Sequence, residues 1–351
     1  MPLWKKILKG LLLLIAVLFT AINVVAFFHA WKFSHFNPDN KKRIVADSLS
    51  ENQKLNMLLF GADVPRPHND WEPDSTCETV ILQSNKKIEC WYFKEENSKG
   101  TVIIFHGYGD DKSRMLGRGG YLQALGYNVL LVDFQGAGGS EGNTSTIGYD
   151  EAQQVKTCVD YIAGKGEKNI HLLGISMGAA ATLKAMHDYD LPVKSLILEC
   201  PFGSLSRAIK NRFKLMGVPS FPFTQLLLFW GSVQTGCNFF SYCPADYAKS
   251  VKVPTLLLWG EKDDKVSREE IDDIYNNLQG PKKLITYQEA YHESYLIRYR
   301  IQWVLDIEGF LMGVNGESRT VKIDTFYMDE SEINSNEYKE YKPVEVEPKQ
   351  P

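Results

Sequence analysis

Residues 169–180, reading NIHLLGISMGAA, constrain the fold of this chain more than any other stretch. Ile170 to Ile175 is an apolar run with the character of a buried strand. Gly174-Ile175-Ser176-Met177-Gly178 closes it, and the small residues Ala179 to Ala185 continue as a helix. A Gly-x-Ser-x-Gly turn between strand and helix has a physical logic. The serine must sit on a tight, strained turn so that its hydroxyl projects above the sheet edge. Side chains at 174 and 178 would collide with the neighbouring strand and helix, so only hydrogen fits there. The helix behind Ser176 aims its first N–H groups at any oxyanion that forms.

The chain around this turn alternates between strand and helix patterns. Thr79 to Gln83 and Lys87 to Phe93 flank Ser84-Asn85-Lys86 and read as a hairpin. Further strands are expected at Thr101–Phe105, Tyr127–Phe134, Ser195–Glu199, Thr255–Trp259 and Lys283–Gln288. Helices are expected at Ser113–Leu125, Ile147–Ala163, Ile271–Leu278 and Tyr295–Met312. Near-continuous apolar strands separated by helices predict an α/β fold: a mostly parallel eight-stranded sheet covered on both faces. The glycines from Gly136 to Gly142 fit neither phosphate-loop pattern and are expected to form a tight surface turn.

A serine hydroxyl needs a base to take its proton, and the base needs an acid to orient it. His292, in Glu289-Ala290-Tyr291-His292-Glu293, is the only histidine beyond residue 187, so it is the candidate base. The strand before it runs into Gly260-Glu261-Lys262-Asp263-Asp264-Lys265-Val266. Asp263 is preferred to Asp264 as the acid because it stands third after the glycine, and Glu199 is a further substitute. His106-Gly107 directly follows the strand ending at Phe105, so this loop must approach the centre closely. The N–H groups of Tyr108 and Met177 are the candidate oxyanion donors, with His106 expected to brace the loop.

The N-terminus carries a second constraint. After Trp4-Lys5-Lys6-Ile7-Leu8-Lys9, the chain is uncharged from Gly10 to Trp31, enough residues to cross a bilayer core as a helix. The run is longer than the apolar region of a cleaved signal peptide, lacks a good cleavage site and has no polar face. It is expected to be an uncleaved single-pass anchor with Trp4 and Trp31 at the interfaces. Lys5, Lys6 and Lys9 place the N-terminus inside and the catalytic domain outside the cytoplasm, although Lys32, Lys41, Lys42 and Arg43 flank the other end. Charge is nearly balanced, 39 Lys and Arg against 43 Asp and Glu, with no long basic block, which argues against nucleic acid as a partner. Six cysteines show no C-x-x-C and no metal spacing, so neither a metal nor a cofactor is expected. Cys158 and Cys200 are expected to be buried thiols, and Cys237 and Cys243 could bridge in an oxidising compartment.

Taken together, HGYGD, GISMG, GEKDDKV and AYHES resemble the motifs of the α/β-hydrolases, closest to the serine aminopeptidase-like and monoglyceride-lipase-like serine hydrolases. The resemblance implies Ser176 as nucleophile, Asp263 as acid, His292 as base, and Tyr108 and Met177 at the oxyanion hole. Two departures stand out: Gln135 occupies the place of an arginine that usually braces the sheet edge, and Tyr291 stands where glycine usually precedes the histidine.

The expected organisation is a basic N-terminus (1–9), an anchor (10–31), a connector (32–78), a catalytic domain (79–312) and a polar tail (313–351). The connector holds an amphipathic segment from Ile44 to Phe60, with His68 and Asp70 solvated. A helical lid insertion (201–254) carries the apolar stretch Phe221 to Trp230, which either forms the lid's own core or walls the pocket. The expected activity is cleavage of an ester or amide through an acyl-enzyme, with a small or lipid-like acyl substrate that is uncharged and of short to medium length. A serine aminopeptidase-like peptidase and an inactive binding protein on the same fold are the alternatives.

Overall fold

A computed structural model describes residues 2–38, 50–73 and 76–316. The apolar runs become the strands of one sheet, and the chain reaches it through two helices. The first, α1, is Leu3–Ser34, and the second, α2, is Glu51–Phe60. Ser50 caps α2, its hydroxyl accepting from Gln53 N while the Gln53 side chain reaches back to Ser50 N. The start of the expected amphipathic segment, Ile44 to Leu49, and nearly all of the expected polar tail lie outside the described residues.

The domain then runs β1 (Glu78–Gln83), β2 (Lys87–Phe93), β3 (Thr101–Phe105), α3 (Leu116–Ala124), β4 (Asn128–Val132), α4 (Glu151–Gly164), β5 (Ile170–Ile175) and α5 (Met177–Asp188). After β6 (Ser195–Glu199) come the insertion helices α6 (Leu205–Leu215), α7 (Phe223–Thr235) and α8 (Pro244–Tyr247). The chain finishes with β7 (Thr255–Gly260), α9 (Arg268–Asn277), β8 (Lys282–Tyr287), α10 (Tyr295–Arg298) and α11 (Arg300–Asn315).

The eight strands lie in the order β1-β2-β4-β3-β5-β6-β7-β8, with β1–β2 and β2–β4 antiparallel and the rest parallel. Strands β3, β6 and β7 are buried along their whole length, as a sheet covered on both faces requires. Val155, Val159 and Ile162 of α4, Leu183 of α5 and Ile271 and Ile274 of α9 pack one face. Leu122 of α3 with Trp303, Ile307 and Leu311 of α11 pack the other. Register aligns the strand ends: Phe105 pairs with Gly174, and Ile175 with Glu199. The loops that follow β3, β5, β6, β7 and β8 therefore open at one edge, where such sheets bind their ligands.

Several local expectations change. Helix α4 starts at Glu151 rather than Ile147, because Ile147 and Gly148 have φ of 59° and 99° and turn the chain first. The buried Glu151 carboxylate accepts from Thr146 N and Gly148 N and fixes that turn. The final helix breaks at Tyr299 (φ −127°, ψ 44°), which separates α10 from α11. Cys237 and Cys243 are both free thiols, and Cys158 and Cys200 are buried. The glycine-rich turn after β4 does not lie free on the surface. Arg66 of the connector donates to the carbonyls of Gly138, Ser140 and Gly142, at 2.9, 2.7 and 3.0 Å, supplying a guanidinium from outside the position Gln135 occupies.

The insertion departs furthest from expectation. Leu228 of α7 is buried in the core, but Trp230 turns to α1 rather than to a pocket. Its Nε1 donates to Asn23 Oδ1 at 3.2 Å, and its ring meets Phe27 edge-on at 5.3 Å. One turn on, Gln234 Nε2 donates to Phe27 O at 2.9 Å, while Phe229 stays exposed. A pocket wall selecting short to medium acyl chains is therefore not built from Trp230.

Candidate active site

Ser176 has φ 50° and ψ −105°, a strained conformation for a residue with a side chain. Close packing enforces it. A Cβ on Gly178 would lie 2.3 Å from Phe105 O, and one on Gly174 would lie 2.6 Å from Ala179 N. Both contacts are impossible, so the chain passes from β5 into α5 through a turn that only this glycine spacing permits. Ser176 N donates to Glu199 O at 2.8 Å and ties the turn to the neighbouring strand.

His292 reaches across from the loop after β8. Its Nε2 is 3.0 Å from Ser176 Oγ, and its Nδ1 is 2.8 Å from Asp263 Oδ2. The tautomer with the proton on Nδ1 satisfies both contacts: Nδ1–H donates to the carboxylate, and Nε2 accepts from the serine hydroxyl. Asp263 is held in turn, its Oδ1 accepting from Lys265 N at 2.9 Å and Val266 N at 2.8 Å. Asp264 next to it points to solvent.

Glu199, the other candidate acid, is fully buried and committed elsewhere. It accepts from Arg118 Nη2 at 2.6 Å, Arg118 Nε at 3.1 Å and Trp303 Nε1 at 2.8 Å. Next to it, Cys200 puts Sγ 4.0 Å from His292 Nε2. Burial lowers the proton affinity of the imidazole, but the Cys200 sulfur and the Asp263 carboxylate outweigh it, and the pKa rises above the ordinary histidine value. The donor atoms of Cys200, Asp263 and His292 lie within 4.8 Å of one another, a spacing a metal could use. Both ring nitrogens, however, already face Ser176 and Asp263.

The loop after β3 closes the other side. His106 Nδ1 donates to Gly107 O at 2.7 Å and its Nε2 accepts from Phe134 N at 3.1 Å, so the ring is a brace. A Cβ on Gly107 would lie 3.7 Å from Ser176 Cβ, which sets the backbone before Tyr108 against Ser176. Met177 N–H is the first of α5 and has no partner within its own helix. Tyr291, just before His292, is exposed.

Sequence reasoning missed two supports. Arg66 sits in a polar connector whose local pattern gives no sign of its targets some 70 residues away. The second is the end of α1. Tyr108 Oη donates to Phe33 O at 2.6 Å, and its ring packs on Phe33 and Phe36 at centroid distances of 5.0 and 5.4 Å. Phe36 N and Ser145 N add backbone bonds to Asn143 O and Ser34 O.

The sheet, the strained serine turn and the loops gathered over it make up the α/β-hydrolase fold. A family model described as "Serine aminopeptidase, S33" matches residues 96–234. The Bacillus subtilis (strain 168) protein YqkD is 23% identical over 313 residues, covering 88% of this chain and 99% of that protein. Lysophosphatidylserine lipase ABHD12 of Xenopus tropicalis is 26% identical over 209 residues, 56% of this chain and 52% of that one. The Pyrococcus furiosus esterase Pf2001 shares the fold with a TM-score of 0.58 and 22% identity, covering 72% of this chain and 99% of the esterase. The chain has the α/β-hydrolase fold, and these similarities support a hydrolase.

Proposed function

We propose that the chain is a membrane-anchored serine hydrolase that cleaves acyl esters through an acyl-enzyme. The observation that carries this reading is the continuous relay from Ser176 Oγ through His292 to Asp263, with contacts of 3.0 and 2.8 Å. As Ser176 Oγ bonds the substrate carbonyl carbon, its proton passes to His292 Nε2. Asp263 stabilises the imidazolium, and the N–H groups of Tyr108 and Met177 bind the oxyanion. Collapse expels the leaving alcohol or amine, which takes the proton from Nε2. Water then attacks the acyl-enzyme, gives its proton to Nε2, and collapse returns that proton to Ser176 as the acid leaves.

A fluorophosphonate probe tests the nucleophile. Wild-type protein is expected to label covalently and Ser176→Ala to lose both labelling and on the order of 10⁴ or more in turnover. Undiminished labelling of the variant refutes the assignment. The family model favours a second reading, aminopeptidase activity. A panel of acyl esters and aminoacyl amides separates the two, and faster cleavage of the amides overturns the ester reading.

Helix α1 supports the anchor, being 32 residues long with residues 2–21 exposed along their whole length. The basic Lys5, Lys6 and Lys9 favour a catalytic domain outside the cytoplasm. Protease added to intact cells or spheroplasts is expected to digest the domain, and protection until lysis would invert the topology.

A further inference from the structure

The uncharged run of α1 extends over 22 residues, from Gly10 to Trp31. Only its first part is clear of the rest of the molecule: residues 10–21 are exposed, and burial begins at Ile22. Twelve helical residues rise about 18 Å, well short of the roughly 30 Å of a hydrocarbon core. The remainder must come from one end or the other. Extending the span back to Leu3 draws Lys5, Lys6 and Lys9 below the headgroups, which is unfavourable. Extending it forward to Trp31 carries into the membrane whatever packs on residues 22–31.

Two helices pack there. On one side α7 supplies Trp230 to Asn23 and Phe27, and Gln234 to Phe27 O. Trp230 thereby pairs the one side-chain amide within the uncharged run, as polar groups in lipid require. On the other side α2 brings Leu58 O to His29 Nε2 at 2.9 Å and stacks Phe60 edge-on to Phe28 at 5.4 Å. Both helices turn apolar side chains outward. Phe229 and Val233, one turn apart, are 47% and 58% exposed, and Leu55 and Leu58 are 54% and 65% exposed. A charged boundary follows directly, where Lys32 pairs with Asp63. Clustered beside a helix that spans a membrane at the same level, these exposed side chains would have lipid as their solvent.

Resting on the anchored-hydrolase reading above, we infer that α2 and α7 form an apolar collar around the C-terminal half of α1, that this collar sits in the lipid bilayer, and that the active site draws acyl lipid directly from the membrane. The position of the site supports the last step. Phe33 and Phe36, just beyond the collar, hold Tyr108 of the loop beside Ser176, so the end of α1 lies directly against a loop that borders the site.

The test uses full-length protein reconstituted in phosphatidylcholine vesicles, with the half-buried Cys77 and Cys243 changed to Ser. A nitroxide is attached at Val233→Cys, at Leu58→Cys or, as a control on α9, at Glu269→Cys. Labels at 233 and 58 are expected to collide with oxygen in preference to a water-soluble nickel chelate, and the label at 269 to do the reverse. In a second arm, Val233→Asp combined with Leu58→Asp is expected to lower turnover of a long-chain ester carried in the vesicles about tenfold. Turnover of a short water-soluble ester in detergent should stay within about twofold, because remote binding alone has been lost. If the labels at 233 and 58 behave like the one at 269 while a carbonate wash leaves the protein in the membrane pellet, the collar is overturned and the anchor stands. Loss of the protein to the carbonate wash overturns both. Should the double variant lose both activities through misfolding, the nitroxide readings still decide.

Discussion

Two carboxylates close neighbouring parallel strands at the same sheet edge, and the molecule uses them in opposite ways. Asp263 follows β7, takes two backbone N–H bonds on one oxygen and offers the other to His292. Glu199 ends β6 and is enclosed by the Arg118 guanidinium and the Trp303 indole, with no exposure at all. Both are buried carboxylates in the neighbourhood of Ser176. What separates them is the partner. A fixed cation and an indole leave Glu199 no freedom to serve a base, whereas Asp263 is anchored by backbone and keeps one oxygen for the imidazole. Both carboxylates stand at strand ends, and their partners are what set them apart.

The sharpest way to break this comparison is Asp263→Asn. The amide would still accept the backbone bonds, but it favours the wrong His292 tautomer, and a loss of roughly 10⁴ in kcat is expected, as in the serine proteases. Thermal unfolding should move far less than activity. Asp264→Asn, at an exposed position, should change kcat little. The reverse ranking of the two aspartates in a steady-state assay would mean the relay runs elsewhere.

Glu199→Gln is expected to fail in the opposite way. It removes the charge that compensates a buried Arg118, and breaking one side of a buried ion pair costs about 3–5 kcal/mol of stability. Denaturant unfolding reads that loss directly. The folded fraction, counted by probe labelling of Ser176, should keep a turnover much closer to wild type than Asp263→Asn does. If per-site turnover falls as far as in Asp263→Asn with stability unchanged, Glu199 is part of the relay and the contrast fails.

The same contrast explains what could be read from the chain. The elbow, the sheet and the acid and base loops were legible because their cause is local: Gly174 and Gly178 answer to atoms within a few residues or on the adjoining strand. The choice of Asp263 over Asp264 rested on spacing, and in the structure it is Asp263 whose carboxylate meets His292. What the apolar stretch of the helical insertion packs on was not legible. Trp230 finds its partner at Asn23, 207 residues away, and nothing near Phe221 to Trp230 distinguishes a side chain facing a pocket from one facing the N-terminal helix. The sequence around Tyr108 points to its backbone N–H, while its hydroxyl bond to Phe33 O links residues 75 apart. Helix boundaries shifted where a turn is fixed by a side chain, as Glu151 fixes residues 146–148.

The smallest expected effect lies between the two carboxylates, at Cys200. It follows Glu199 in sequence and reaches His292 in space, its Sγ 4.0 Å from the nitrogen that faces Ser176. Burial lowers the His292 pKa, and the sulfur with Asp263 raises it by more, so the net shift is upward. A general base works only unprotonated, so a raised pKa moves the acid limb of the kcat/KM profile to higher pH. Cys200→Ala removes one of the raising contributions and leaves Asp263 in place. The limb should therefore move to lower pH with little change in the plateau rate, since the relay itself is untouched. Asp263→Asn should move it the same way but with the plateau collapsed, which separates a neighbour that tunes the base from the acid that orients it. A profile for Cys200→Ala that shifts to higher pH would mean that the sulfur stabilises the neutral ring, and the electrostatic account of this contact would have to be reversed.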